Sequence, residues 1–404
     1  MSNNLFSGHL PTYIEAPKLS ILALSNNFIN GTIEQLTCRL HSLTILNLAE
    51  NNLTGNLPHC WPITLTVVNM AHNKLEGLIP GSMGNLNLLG VLQLNGNGLI
   101  GELPSELQFC QKLTILDLGE NKFTGQIPEW MGESLINLTI LRLRSNLFSG
   151  VIPIQLVKLR KLQILDLANN NFFGMIPQNM DSFLLMASRD DNNNNRAYFD
   201  LPNSNQKYYT LSISVTMKDM DLEYTSSIFL VKSIDLSENN FTGMIPKNIT
   251  TLCGLRNLNL SHNHLTGLIP TEIGRMNSIE SLDLHSNELS GMIPHSLGNL
   301  IFLAILNLSY NNLSGKIPVG NQLQTLDDPY IYVGNDYLCG PPLDKSCNLD
   351  KVNSCGYAKK IGEDFDTIFL YLFVVLGVAC GFCVIFGVLL FKINWRNYFF
   401  SFCR

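Results

Sequence analysis

The sequence predicts an α/β repeat solenoid that ends in a single membrane-spanning helix. Three observations predict it. An asparagine returns at a nearly constant step along the chain, leucines sit at the spacing of one short strand per step, and Thr367 to Phe391 form 25 residues without a charge. Repetition at a fixed period identifies stacked units, each too small to bury its own apolar face.

The repeat comes first in the chain. Its asparagine falls at Asn4, Asn27, Asn51, Asn73, Asn97, Asn121, Asn146, Asn170, Asn239, Asn263, Asn287 and Asn311. The steps are 23, 24, 22, 24, 24, 25, 24, 69, 24, 24 and 24. A period of about 20–29 residues is that of leucine-rich repeats. Leu113-x-x-Leu116-x-Leu118-x-x-Asn121 places one strand per coil, with its leucines turned into a shared core. The asparagine amide is expected inside the turn, satisfying backbone groups that burial would leave unpaired. The phrase continues as in Phe123-Thr124-Gly125-Gln126-Ile127-Pro128. Glycine is expected to make a tight turn there, and Ile-Pro to start an extended return. Coils winding this way predict a right-handed superhelix with repeats 1–8 over residues 1–177, the first incomplete, and repeats 9–12 over residues 230–318.

The 69-residue step holds one period plus about 45 residues, an island insertion over residues 178–229. It opens with the polar run Asp190 to Asn195, expected as a loop, and continues from Tyr208 to Thr216 in a strand-like alternation. Insertions in solenoids commonly project from one face and carry binding. After Pro318 the rhythm stops, and residues 319–350 read as a terminal cap over the open core end. Residues 351–366 are juxtamembrane, 367–391 a transmembrane helix and 392–404 a short tail. Lys392, Arg396 and Arg404 behind the span predict a cytoplasmic C-terminus, hence a single-pass type I protein of the plasma membrane. Met1 begins inside a repeat with no basic-apolar leader, which reads as an N-terminally truncated form.

Composition excludes other classes. Charged residues are 14% of the chain, against roughly 25% in soluble domains. A net charge of −6 offers no basic field, so nucleic acid is not an expected partner. No catalytic constellation or cofactor motif is present. Gly96-Asn97-Gly98-Leu99-Ile100-Gly101 imitates a dinucleotide-binding loop, but Pro104 follows at once and no helix can start there. The chain is therefore expected to be a recognition protein and not an enzyme.

On each strand the residues between the leucines face outward across the concave side. One such column reads Asn47, Asn69, Gln93, Asp117, Arg142, Asp166. Neighbouring strands lie about 4.8 Å apart, so Arg142 stands between two carboxylates. Arg144 has only Gly119 and Ala168 beside it and is expected as an unpaired guanidinium for an acidic or amide-rich ligand. Arg144, Arg142, Asp117 and Asp166 are thus the ligand-contact candidates. Cys38 with Cys60, and Cys339 with Cys347, are disulfide candidates; buried free thiols are the alternative for each pair. Glycosylation sequons fall at Asn30, Asn52, Asn137, Asn240, Asn248, Asn259, Asn307 and Asn312.

The Leu-x-Gly-x-Ile-Pro phrase resembles the plant-specific subclass of leucine-rich repeats, over most of residues 1–318. With Lys218-Asp219-Met220-Asp221-Leu222-Glu223-Tyr224 in the island, Leu338-Cys339-Gly340-x-Pro342-Leu343 in the cap and Trp395-Arg396 behind the span, the chain resembles the plant receptor-like proteins, which lack a kinase. That resemblance implies a cell-surface receptor for an extracellular peptide, protein or glycan, acting in defence and signalling through adaptor and co-receptor kinases. It also implies ligand contact from the island residues Tyr208, Tyr209, Lys218, Glu223 and Tyr224. Gly377 and Gly381 allow close helix approach in the bilayer and are expected to pair with a partner helix. The alternatives are an inhibitor or decoy for a cell-wall-degrading enzyme, and a truncated receptor fragment without function.

Overall fold

The computed structural model describes residues 1–11, 14–34, 36–189, 212–217, 220–225, 227–320 and 322–347. The expected juxtamembrane segment, transmembrane helix, tail and Gly377–Gly381 face lie outside these residues. Among the described residues no helix is long and apolar enough to cross a membrane.

The second to twelfth coils each contribute one three-residue strand to a parallel sheet of eleven, running in sheet order from Ile21–Ala23 to Ile305–Asn307. Ile115–Asp117 shows the pattern. It pairs with Val91–Gln93 on one side and Ile140–Arg142 on the other, each residue opposite its repeat equivalent. Leu116 and Leu118 point inward and are fully buried. The chain then turns through Glu120, whose φ is 54°, into Asn121.

The asparagine amide closes the turn as the sequence implies. Asn121 Nδ2 donates to the carbonyls of Leu118 (3.1 Å) and Gly119 (2.9 Å) in its own coil and to Leu94 (3.0 Å) in the preceding one. Its Oδ1 accepts from the Leu99 amide at 3.0 Å. Four backbone groups that water cannot reach are satisfied by one side chain, and the same bonds staple coil to coil. Asn239 makes the equivalent bonds to Phe172 and Leu167, so the coils on either side of the island stack directly.

Two expectations are corrected. The coil carries a second strand, such as Asn52–Asn56 or His264–Leu268, and these assemble into further parallel sheets of six and seven strands. The phrase glycine lies in this strand and not in the tight turn: Gly267 has φ 78°, and a Cβ there would stand 2.8 Å from Met244 of the preceding coil. Glycine is needed for its backbone angle and for that close approach. The tight turn is made by residues such as Glu120, His72 and His262. Secondly, the α/β expectation gives way to a structure in which the return segments are mostly single 3₁₀ turns after proline, as in Ser105–Phe109 behind Pro104. A coil of this length that builds two strands has too few residues left for a longer helix. The 25-residue step from Asn121 to Asn146 holds a six-residue α-helix, Glu129–Ser134. The 22-residue step from Asn51 to Asn73 holds no helix.

The core is one continuous cluster along the coils. At its middle, Phe123, Phe148, Phe172 and Phe241 stack face to face with centroids 6.0, 6.3 and 6.3 Å apart. Burying each such ring contributes roughly 1.5–3 kcal/mol. At the C-terminal end the rhythm outlasts Pro318. Asn335 lies 24 residues after Asn311 and takes the same role, accepting from the Leu313 amide at 2.9 Å and donating to Leu308 and Tyr332. Tyr337–Cys339 adds the last strand to a side sheet, and Tyr332 fills the core end. The cap is thus a modified coil. Cys339 is bonded to Cys347, and Cys38 to Cys60. Cys110 is a buried thiol whose pKa burial pushes up to about 11.

Candidate ligand-binding face

The outward face of the eleven-stranded sheet is where the coils differ. Its first strand position runs Ile45, Val67, Val91, Ile115, Ile140, Ile164 and then Ser233, Asn257, Ser281. The six β-branched residues are buried, although they point away from the leucine core. They join Ile213, Val215 and Ile228 of the insertion, and Val231 just after it, in a second apolar cluster, with Leu222 and Tyr224 packed against it.

The partner is a hairpin. Ile213–Met217 and Met220–Tyr224 pair antiparallel, Val215 opposite Leu222. Alternation turns Ile213 and Val215 onto the sheet while Ser214 and Thr216 stay partly open. The expected strand character is present from Ile213 onward; Tyr208, Tyr209, Lys218 and the Asp190–Asn195 run lie outside the described residues. The hairpin packs on the sheet, while Met180, Phe183 and Met186 at the start of the insertion are buried in the leucine core. Gln93 Nε2 donates to the Ser212 carbonyl at 2.9 Å, and Asn257 Nδ2 to the Thr216 carbonyl at 3.2 Å. Those two anchors stand on strands five steps apart in the sheet order.

Beside the apolar column lies a buried ion cluster. Arg142 is 2% exposed and reaches Asp117 Oδ2 at 3.0 Å, Glu120 Oε1 at 3.0 Å and Asp166 Oδ2 at 3.3 Å. Burial works against its charge, but Asp117, Asp166 and Glu120 outweigh that and hold its pKa above the ordinary guanidinium value. Burial raises the Asp117 pKa, with Arg142 pulling the other way. Asp235 stands opposite Asp166 in the sheet register. Its pKa is pushed up to about 7, first by burial and then by the Asp166 charge. Asp235 Oδ1 accepts from Ser237 at 2.6 Å, while Oδ2 has no hydrogen-bond partner among the described residues.

The four contact candidates therefore come together, but not as an open surface. Arg142, Asp117 and Asp166 are buried. Arg144, expected to be unpaired, donates to Thr216 Oγ1 of the hairpin and lies 3.5 Å from Asp166. The hairpin supplies the partner that its column neighbours cannot. Of the island candidates, Glu223 is exposed beside Ser212, and Tyr224 is half-buried. Among the sequons, Asn30, Asn240, Asn248 and Asn312 are exposed. Asn52, Asn137, Asn259 and Asn307 are partly covered, and Asn137 Nδ2 is engaged with the Gln111 carbonyl at 2.9 Å. Residue-by-residue reading of the sequence placed Gln93 in the outward column without its anchoring role, and missed Asn257, Asp235 and the apolar column. The column was visible in principle, as six β-branched residues in a row at an outward position. Among the described residues no three ligand-type side chains converge on a metal position.

Comparison with known proteins agrees with this architecture. Family models described as leucine rich repeat match residues 107–172 and 230–289, and residues 42–62, 64–86 and 302–327. Receptor-like protein EIX2 of Solanum lycopersicum is 41% identical over 440 residues, an alignment covering 100% of this chain and 40% of that protein. The chain thus spans well under half the length of that relative. Among solved structures, the Arabidopsis receptor kinase HAESA in complex with the peptide hormone IDA and the co-receptor SERK1 is similar with a TM-score of 0.61 and 28% identity, over 86% of this chain and 58% of that one. PEPR1–AtPEP1 is similar with a TM-score of 0.60 and 28% identity, over 84% of this chain and 48% of that one. None of these matches indicates a catalytic family.

Proposed function

Because the chain belongs with the plant leucine-rich repeat receptor-like proteins, we propose that it is the ligand-binding part of a cell-surface receptor that signals through a partner kinase in plant defence. One observation carries this reading: the insertion hairpin is docked on the outward face by matched apolar and polar contacts. A composite surface of hairpin and strands suits an extended peptide or a protein loop, which main-chain and side-chain hydrogen bonds on such a face can hold. The complex of the similar receptor kinase HAESA with a peptide hormone supports that choice of ligand class.

In this reading the ion cluster does not touch ligand. Arg142, Asp117, Asp166 and Arg144 hold the hairpin's seat, while Glu223 and the half-open Asn259 and Asn307 offer contacts. Residues 367–391 anchor the chain in the plasma membrane, Gly377 and Gly381 face a partner helix, and the exposed sequons carry glycans.

The test is recovery of the tagged full chain from plant cell membranes, before and after treatment with extracellular wash fluid from infected tissue. A receptor kinase should co-purify, more strongly after treatment. Val215→Asp, which places a charge beneath the hairpin, should abolish the increase. Absence of any kinase in both samples, or recovery of a wall-degrading enzyme in its place, would count against a receptor and favour an inhibitor or decoy.

A further inference from the structure

At two places the left-handed turn residue of a coil is histidine. His72 and His262 both have φ 51°. Each meets the residue 23 positions later: Asn95 for His72, His285 for His262. In the second case two imidazole nitrogens face each other, Nε2 to Nε2, at 2.8 Å. The rings stand edge to face with centroids 4.3 Å apart.

We propose that His262 and His285 form a two-nitrogen site for a tetragonal divalent metal ion of the Cu(II) type. Two metal–nitrogen bonds of about 2.0 Å at about 90° put their nitrogens about 2.8 Å apart; a tetrahedral angle would need about 3.3 Å. The observed separation of 2.8 Å matches the tetragonal case. His285 is also prepared for the role. Its Nδ1 lies 2.7 Å from Asp283 Oδ1, and its backbone amide donates to the same oxygen at 3.0 Å. A carboxylate accepts only, so Nδ1 carries the proton and Nε2 presents its lone pair toward His262. This carboxylate–histidine arrangement backs metal-bound imidazoles in general. In the neighbouring coils serine occupies the His285 position and makes the equivalent bond, as Ser261 does to Asn259 at 2.7 Å and Ser309 to Asn307 at 2.7 Å. Histidine there keeps that bond and adds a second nitrogen directed at the next ring. Without metal, His262 Nε2–H donates to His285 Nε2. With metal, the His262 proton moves to Nδ1, on a ring open to solvent, and water completes the coordination.

The His72 position serves as an internal control, because Asn95 supplies an amide in place of the second imidazole. The experiment is titration of the purified full chain with Cu(II) in a glycine buffer, which suppresses single-histidine binding. It is read by calorimetry and by pulsed electron paramagnetic resonance, which counts coordinated imidazoles. One ion per chain with two imidazoles is expected. His262→Asn and His285→Asn should each lose the two-imidazole signal and weaken binding at least about tenfold. Asp283→Asn should keep both nitrogens and weaken binding about 10–100-fold, and His72→Asn should change nothing. Binding that survives His262→Asn with two imidazoles still counted, or a chain that takes up no Cu(II) under these conditions, would overturn the proposal. Neither outcome bears on co-purification with a kinase.

Discussion

The two faces of the long parallel sheet obey different rules. Inward, Leu92, Leu116, Leu141, Leu165, Ile234, Leu258 and Leu282 occupy the same strand position in successive coils, all buried, with the asparagine ladder closing each turn. Outward, the first strand position changes from isoleucine and valine at Ile45 to Ile164 to serine and asparagine at Ser233 to Ser281, and a charge cluster gathers around Asp117, Arg142, Asp166 and Asp235. Stacking makes the inward environment of one coil a copy of the next, so one solution serves throughout. The outward face meets a hairpin that exists once, and its residues are matched to that single neighbour.

The strongest test of this contrast is the inward ladder. Asn121→Ala leaves the Leu99 amide without its acceptor and removes one of two donors from each of the Leu94, Leu118 and Gly119 carbonyls, and we expect a loss of about 3–6 kcal/mol in urea unfolding. Asn263→Ala should cost nearly the same, since its bonds repeat those of Asn121. Losses that differ severalfold would break the idea of equivalent coils. The outward face should behave in the opposite way. Arg142→Met strands the Asp117 charge in a dry site and leaves Asp166 to Arg144, 3.5 Å away, and should cost about 3–5 kcal/mol. Arg256→Met removes the half-exposed pair with Glu280 and should cost under about 1 kcal/mol.

Asp235 sharpens the comparison through pH. Its pKa in the folded chain, about 7, lies above its ordinary 3.8. The native state therefore keeps a proton that the unfolded chain releases. This contribution is whole below pH about 4 and is lost as pH rises through about 7, with a slope of at most about 1.4 kcal/mol per pH unit. Thermal unfolding of Asp235→Asn should show a flatter profile across that window; an unchanged slope would remove Asp235 as its source. A small effect is expected at the hairpin itself. Thr216→Val removes the acceptor for Arg144 and should cost about 0.5–1.5 kcal/mol. It should be seen as faster hydrogen exchange at Ile213–Thr216 while the global midpoint scarcely moves. Equal acceleration throughout the core would mean that hairpin and coils open as one unit.

How much was legible follows from the same division. The asparagine spacing located the coils and their inward strands, because every copy reports the same constraint. It also implied the amide's role, since a turn that buries backbone groups needs a side chain able both to donate and to accept. The second strand was missed because its residues alternate over only two to five positions, too few for a period-2 signal, and because glycine reads as a turn wherever φ is not known. Asn335 was overlooked because Pro318 and the cap sequence interrupt the phrase around it, though its step from Asn311 is regular.

Arg144 shows the limit most clearly. Its neighbours along the sheet were read correctly as Gly119 and Ala168, and from them it looked solitary. Its actual partner, Thr216, lies 72 residues away on a hairpin whose landing place no periodicity encodes. The amino-acid sequence alone therefore determined the repeating coil, since translational stacking writes each local requirement many times into the chain. Only the tertiary structure decided what covers the outward face and which charges become buried. That contact occurs once, between segments far apart in the chain, and its energy depends on distances that spacing does not contain.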